Sequence, residues 1–154
     1  MEQETEYRKR QMEEYKQGLL PLLRFLPWLE QNAGKSVSHT YDGSDTGEQI
    51  LRFPVYDATL LQFVKTARKS PFMDKNYRYV YTRNHIVSHA DERRLISQAG
   101  IREWDILCGM LSKYVLGGQT RALLWSEAME EQIFYLVIKK MNETIEYWDK
   151  TPDR

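Results

Sequence analysis

Two apolar stripes at helical spacing in the last third of the chain constrain its fold more than any other feature. They lie on either side of Gly117-Gly118, and each places its apolar residues three or four positions apart, as one face of a helix requires. The first stripe consists of Trp104, Leu107, Cys108, Leu111 and Val115, and the second of Ile133, Phe134, Val137, Ile138, Met141, Ile145 and Trp148. The pattern predicts a packed helical hairpin and indicates no chemistry.

The length and charge of the chain restrict the classes of protein to which it can belong. Its 154 residues fit one globular domain, which we predict over residues 19–150, after an exposed N-terminal helix or tail over residues 1–18. The formal net charge is zero, so no overall field draws the protein to polyanions or membranes. The richest apolar stretch, Leu19 to Leu29, contains an arginine and two prolines, so we expect no membrane association. The single cysteine, Cys108, favours a reducing, cytoplasmic location.

Shorter patterns predict a mixed architecture for the rest of the chain. Asp57 can cap one helix, and Ser88 or Asp91 can start another. By contrast, the segments Gln49 to Tyr56 and Tyr77 to Arg83 are typical of strands, and the second alternates tyrosine with other residues at a period of two. The predicted class is therefore α+β and predominantly helical: a helix bundle with the C-terminal hairpin and a small sheet of two or three strands.

A basic segment between Lys65 and Arg102 is the strongest functional signal. It holds nine basic residues against three acids, and tyrosines interleave with arginines inside it. Aromatic rings beside cations can stack bases and neutralise phosphates, so the segment predicts a nucleic-acid interface. The candidate residues are Tyr77, Tyr79, Tyr81, Arg78, Arg83, Arg93 and Arg94. The alternative is that the tyrosines pack on neighbouring helices while the cations pair with the acids that follow Arg102.

Two histidines form the only candidate metal pair. His85 and His89 are four residues apart and can share a helical face, with Asp91 and Glu92 close by. The glutamate of a zinc-protease motif is missing between them, and the pair crosses a predicted helix boundary. We expect no cofactor, because no phosphate loop, nucleophile elbow or di-iron motif is present.

Three segments together resemble a known family. They are Leu20 to Trp28, the run Trp104-Asp105-Ile106-Leu107-Cys108-Gly109, and Tyr114-Val115-Leu116-Gly117-Gly118. The chain resembles an uncharacterised domain family of Gram-positive bacteria, some members of which accompany mobile-element genes. The resemblance implies a bacterial, intracellular role and assigns no catalytic residue, because its motifs are packing and turn residues.

Three functions follow as hypotheses from these observations. The first is a non-enzymatic interaction or accessory protein that binds a protein partner or a second copy through apolar surface. The second is a nucleic-acid-binding protein that uses the basic segment 65–102. The third is a small-molecule binder or hydrolase with a cleft between the polar loop Ser36 to Gly47 and the histidine pair.

Overall fold

A computed structural model of the chain describes residues 2–36, 38–41 and 53–150. Its elements are α1 (Glu2–Leu23), α2 (Leu26–Asn32), β1 (Ser38–Tyr41), β2 (Phe53–Tyr56), α3 (Ala58–Arg68), α4 (Tyr77–Arg83), α5 (His89–Gln98), α6 (Trp104–Gly117), α7 (Leu124–Glu130) and α8 (Ile133–Lys150), with a 3-10 turn at Ile101–Glu103.

Helices α6 and α8 carry the two apolar stripes and form the centre of the domain. Helix α8 contacts α1, α2, α5, α6 and α7, and α6 also contacts α3 and α4. Leu107 and Leu111 of the first stripe and Phe134 and Ile138 of the second are fully buried. The connection after Gly117-Gly118 is not a simple turn, because the short helix α7 lies between α6 and α8.

The predicted α+β class is wrong, because the domain is all-α. Eight α-helices make up the described fold, and no β-sheet packs against them as a layer within the described ranges. Strands β1 and β2 pair only with each other, as an antiparallel ribbon whose register runs from Ser38 opposite Tyr56 to Tyr41 opposite Phe53. Of the segment Gln49 to Tyr56, residues 49–52 lie outside the described residues.

The strand predicted at Tyr77 to Arg83 is helix α4. Its one buried residue, Val80, packs against α6 at Gly109, where an added Cβ would lie 2.8 Å from Val80 Cγ1. This close approach of two helices outweighs the strand preference of tyrosine and valine, since strand propensity depends strongly on context. The two-residue alternation suggested a strand with one buried and one exposed face. Tyrosine and arginine can be partly exposed in a helix as well, so their alternation does not define a strand.

Local signals at the other helices agree with the structure. Asp57 caps α3 by accepting a hydrogen bond from the backbone N–H of Thr59 at 2.7 Å, and Ser88 caps α5 through the N–H of Asp91 at 3.1 Å.

Helix α1 runs without a break across the division predicted at residue 18.

Candidate functional site

A cluster of polar side chains lies where α4, α5, α6 and α7 meet, at the edge of the apolar core. Helix α5 brings its first turn to this point, because Ser88 caps the helix and places His89 and Glu92 one turn apart on its inner side. The cluster borders a cleft of about 320 Å³. Its members, which we call the polar cluster, are Tyr81, His89, Glu92, Lys113, Tyr114 and Glu127.

Glu92 is the centre of the polar cluster. Its side chain is 1% exposed, and its carboxylate accepts hydrogen bonds from the hydroxyl of Tyr81 and from the hydroxyl of Tyr114, which lies 2.8 Å and 2.9 Å from the two oxygens. His89 Nδ1 lies 2.7 Å away and Lys113 Nζ 3.8 Å away. Because a buried carboxylate is costly unless it is paired and hydrogen-bonded, these partners explain how the charge is tolerated.

His89 is held between two carboxylates. Its Nδ1 faces Glu92 and its Nε2 faces Glu127, each at 2.7 Å. Although burial by itself lowers the pKa of His89, the hydrogen bonds and charges of Glu92 and Glu127 outweigh it and raise that pKa above 6.5. Both ring nitrogens face a carboxylate oxygen, so neither is free to bind another group, and protonation of the ring strengthens both contacts.

The tyrosines and the lysine of the polar cluster are also committed to internal contacts. Burial, followed by the charge and hydrogen bonding of Glu92, raises the pKa of Tyr81 and of Tyr114 far above the ordinary phenol value. The ammonium of Lys113 lies 4.5 Å from the ring centroid of Tyr81 and 5.0 Å from that of Tyr114. Such cation–π contacts add to its attraction to Glu92.

The polar cluster is therefore arranged to hold helices together and is poorly arranged for catalysis. A general base needs an acceptor lone pair, and the ring of His89 has none free. The phenols stay protonated at neutral pH. The thiol of Cys108 offers no alternative nucleophile, since burial, with the charges of Asp105 and Asp74, raises its pKa to about 12.

The two histidines of the predicted metal pair lie in different surroundings. His85 is exposed and lies after the end of α4 with a positive φ of 56°, while His89 belongs to the polar cluster. The two carboxylates near His89 lie at opposite ring nitrogens, so they do not point at a common centre. Within the described residues, no group of three or more histidine, cysteine or acidic side chains is placed to hold a metal ion.

The predicted tyrosine ladder is divided by the helical geometry of α4. Tyr77 and Tyr81 are four residues apart on one side and are half-buried, while Tyr79 is 62% exposed. A shared aromatic face, as a strand would have presented, therefore does not form.

Of the four arginines predicted to contact nucleic acid, three form ion pairs with acidic side chains. Arg83 binds Asp105 at 2.9 Å, Arg93 binds Glu131 at 2.9 Å, and Arg94 binds Asp91 at 3.4 Å. Arg78 is exposed on α4. The pairing matches the alternative in which the cations meet acids of the same chain.

The cleft of the third hypothesis is described only in part. Residues 37 and 42–47 of its polar loop lie outside the described residues, and His39 is described in its backbone alone. The other wall, at His89, is the polar cluster.

A second region, which the sequence prediction missed as a site, surrounds the half-exposed Trp148 near the end of α8. One groove of about 430 Å³ runs between α1 and the 3-10 turn, past Tyr15, Ile101 and Trp148. Another of about 320 Å³ lies between that turn and α8, past Ile101, Tyr147 and Trp148. We call the two grooves together the Trp148 surface.

The wall of the first groove contains one unusual donor. The ring of Trp104 stacks on Tyr15 with centroids 4.4 Å apart, and its indole N–H is buried without a hydrogen-bond partner in the described structure. An unpaired buried donor costs about 1–3 kcal/mol. This surface therefore differs from the polar cluster, where the donors are matched by acceptors.

Sequence signals for the polar cluster exist but are weak. Glu92 is four residues before Ile96, so it falls on the apolar side of α5, where a charge implies a buried partner. Tyr114 is three residues after Leu111 and belongs to the inner face of α6. No sequence pattern predicts that Lys113 and Glu127 lie near Glu92 and Tyr114, because the cluster forms only when four helices pack together.

The described part of the chain holds no helix with the length and apolar content that crossing a bilayer requires. A scan against protein-family models and searches of curated proteins and of solved structures each found no match, so the comparisons add no family. The likeness to a Gram-positive domain family stays a prediction.

Proposed function

We propose that this protein is a non-enzymatic interaction protein that associates with a second copy of itself through the Trp148 surface. The observation that carries the proposal is the partly exposed Trp148, which lies between two grooves at the end of an apolar stripe whose earlier members, such as Phe134 and Ile138, are fully buried. Tryptophan and tyrosine are enriched among the residues that dominate binding energy at interfaces. Tyr147, beside it, is 51% exposed.

The charges on the Trp148 surface favour a second copy as the occupant. The first groove holds Arg102 and Asp105, and the second holds Lys140 and Glu143, so each combines both signs. In a two-fold dimer the same patch meets itself, which requires a self-complementary surface. The net charge of zero means that two copies do not repel each other as wholes.

The closed polar cluster supports a role without catalysis. Its histidine, buried carboxylate and phenols satisfy one another, and the histidine beside the cleft has both ring nitrogens occupied. The bacterial, accessory and mobile-element role implied by the family resemblance is compatible with this proposal, as is a cytoplasmic location.

Sedimentation velocity tests the proposal. Over roughly 1–200 µM, which corresponds to association free energies of about 5–8 kcal/mol, the wild-type chain should shift from monomer to dimer. Trp148→Ala should weaken association about 30-fold or more, as expected for a central aromatic. Tyr79→Ala removes a more exposed aromatic from α4, outside both grooves, and should leave association unchanged. A wild-type chain that stays monomeric throughout would refute the proposal.

A further inference from the structure

A basic groove lies between α1 and α3, on a different side of α1 from the Trp148 surface. It has a volume of about 540 Å³, and its lining contains three cations and no carboxylate. The cations are Arg24, which follows α1, Lys65 of α3, and Lys69, which directly follows α3. All three side chains are exposed.

The positive charge of the basic groove is uncompensated within the described residues. Arg24, Lys65 and Lys69 form no ion pair there, and the guanidinium of Arg24 contacts only the ring of Phe25, 4.7 Å from its centroid. Arg83, Arg93 and Arg94, by contrast, are each paired with an acid. Gln17 of the lining donates a hydrogen bond to Glu13 at 2.9 Å, and Glu13 itself does not line the groove.

The length of the basic groove fits a run of phosphates. Gln62, Lys65, Thr66 and Lys69 recur at three- and four-residue steps, so they line one face of α3. Seven residues of helix span about 10 Å. Successive phosphates of one strand rise about 3.4 Å along the duplex axis and lie farther apart along the winding strand itself, so the groove is long enough to span more than one of them.

The lining favours a nucleic-acid backbone over an acidic peptide. It contains amides, hydroxyls and two prolines, but no aromatic ring and no large aliphatic side chain. Protein partners depend on buried aromatic or aliphatic anchors, which this groove does not accommodate. Contacts to phosphates need only cations and polar donors, and they carry no base specificity.

We propose that the basic groove binds the phosphodiester backbone of nucleic acid without sequence preference, through Arg24, Lys65 and Lys69. The site differs from the predicted tyrosine ladder, since it uses unpaired cations on α3 and none of the tyrosines of α4. It is independent of self-association, because Gln17 and Pro21 lie on another side of α1 from Met12 and Tyr15.

Fluorescence anisotropy with labelled single-stranded and duplex DNA of about 20 nucleotides, at about 50 mM salt, tests this site. The double variant Lys65→Glu/Lys69→Glu should bind at least about 10-fold more weakly than wild type. The matched control Lys75→Glu/Arg78→Glu makes the same change in net charge at two exposed cations outside the groove, and it should bind less than about 3-fold more weakly. Circular dichroism confirms that each variant is folded, and Lys65→Gln/Lys69→Gln replaces the charge reversal if that variant is not.

The salt dependence gives a second readout. For three phosphate contacts on duplex DNA, the slope of log K against log salt should be about −2.7, and it should fall to about −1 in the groove variant. Equal weakening by the groove and control variants would overturn the proposal, as would absent binding at low salt. Equal competition by a poly-glutamate peptide would also overturn it and indicate an acidic protein partner.

Discussion

The polar cluster and the Trp148 surface differ in whether their side chains already have partners within the domain. In the polar cluster, buried Glu92 has partners on α4, on α6 and on its own helix α5, and both nitrogens of His89 face carboxylates. On the Trp148 surface, a large aromatic is half-exposed between two grooves, and the N–H of Trp104 is unpaired in the described structure. The ionisable side chains of the polar cluster therefore stabilise the fold, whereas the aromatic side chains of the Trp148 surface are those that we propose bind a second copy.

The largest effect expected from this comparison is at Glu92. Glu92→Ala leaves two tyrosine hydroxyls, the Nδ1 of His89 and an ammonium without their shared partner, so we expect the free energy of unfolding to fall by about 3–5 kcal/mol. Urea denaturation measures the loss. The matched control Glu130→Ala removes an exposed carboxylate from α7 and should change stability by less than about 0.5 kcal/mol. A loss at Glu92 as small as at Glu130 would show that the cluster does not hold the helices.

The contact between α4 and α6 should be nearly as sensitive. A Cβ at Gly109 would lie 2.8–3.0 Å from three carbons of Val80, which is branched and has no flexible end to move away. Gly109→Ala should therefore cost about 1–3 kcal/mol, measured by thermal or chemical unfolding.

Two further variants test whether the loss at Gly109 comes from the clash of the added Cβ with Val80 or from the replacement of glycine itself. Gly109→Ala combined with Val80→Ala should cost less than the sum of the two single changes, because the shortened side chain makes room. Gly100→Ala is the control, since the nearest atom to its added Cβ is Glu103 Oε2 at 4.0 Å. Additive losses in the double variant would contradict the packing of α4 described above.

The pH dependence of stability should report the two carboxylates around His89. Its folded-state pKa lies above the unfolded value of 6.5, so the stabilisation is fully present below pH 6.5 and is lost as pH rises through the folded-state pKa. The slope reaches at most about 1.4 kcal/mol per pH unit for one proton. Unfolding curves at a series of pH values should show this fall in wild type and lack it in His89→Gln. An unchanged pH profile in the variant would place the titrating proton elsewhere.

The smallest effect on folding is expected at Trp148. Trp148→Ala should lower the free energy of unfolding of the monomer by less than about 2 kcal/mol, because the ring borders two open grooves and lacks packing partners on those sides. Urea denaturation at a protein concentration too low for dimers to form measures this loss for the monomer alone. A loss as large as that of Glu92→Ala would make Trp148 a core residue and remove the contrast between the two regions.

The central helices could be predicted from the sequence because apolar periodicity directly encodes which face is buried. Leu107 and Ile138 follow that rule, and the caps at Asp57 and Ser88 follow from side chains that bond the first free N–H groups. Helix α4 could not be predicted, because its seven residues contain a single buried one, Val80, whose partner Gly109 is distant in sequence. With so little apolar periodicity, the strand preference of its tyrosines determined the prediction for this segment.

The sites were less predictable than the fold. The sequence identified the basic segment 65–102, but ion pairing of Arg83, Arg93 and Arg94 depends on acids brought in by tertiary packing. Glu92 entered the sequence argument only as an oxygen near a metal pair, and its role as the acceptor for Tyr81 and Tyr114 required the packing of α4 and α6 on α5.

Sedimentation velocity of three proteins side by side tests the contrast between the two regions most directly. Wild type and His89→Gln should form dimers with the same dissociation constant, since His89 lies in the polar cluster, while Trp148→Ala should remain monomeric over the same concentrations. A wild-type chain without dimers, or dimers that survive Trp148→Ala but are lost in His89→Gln, would contradict the account.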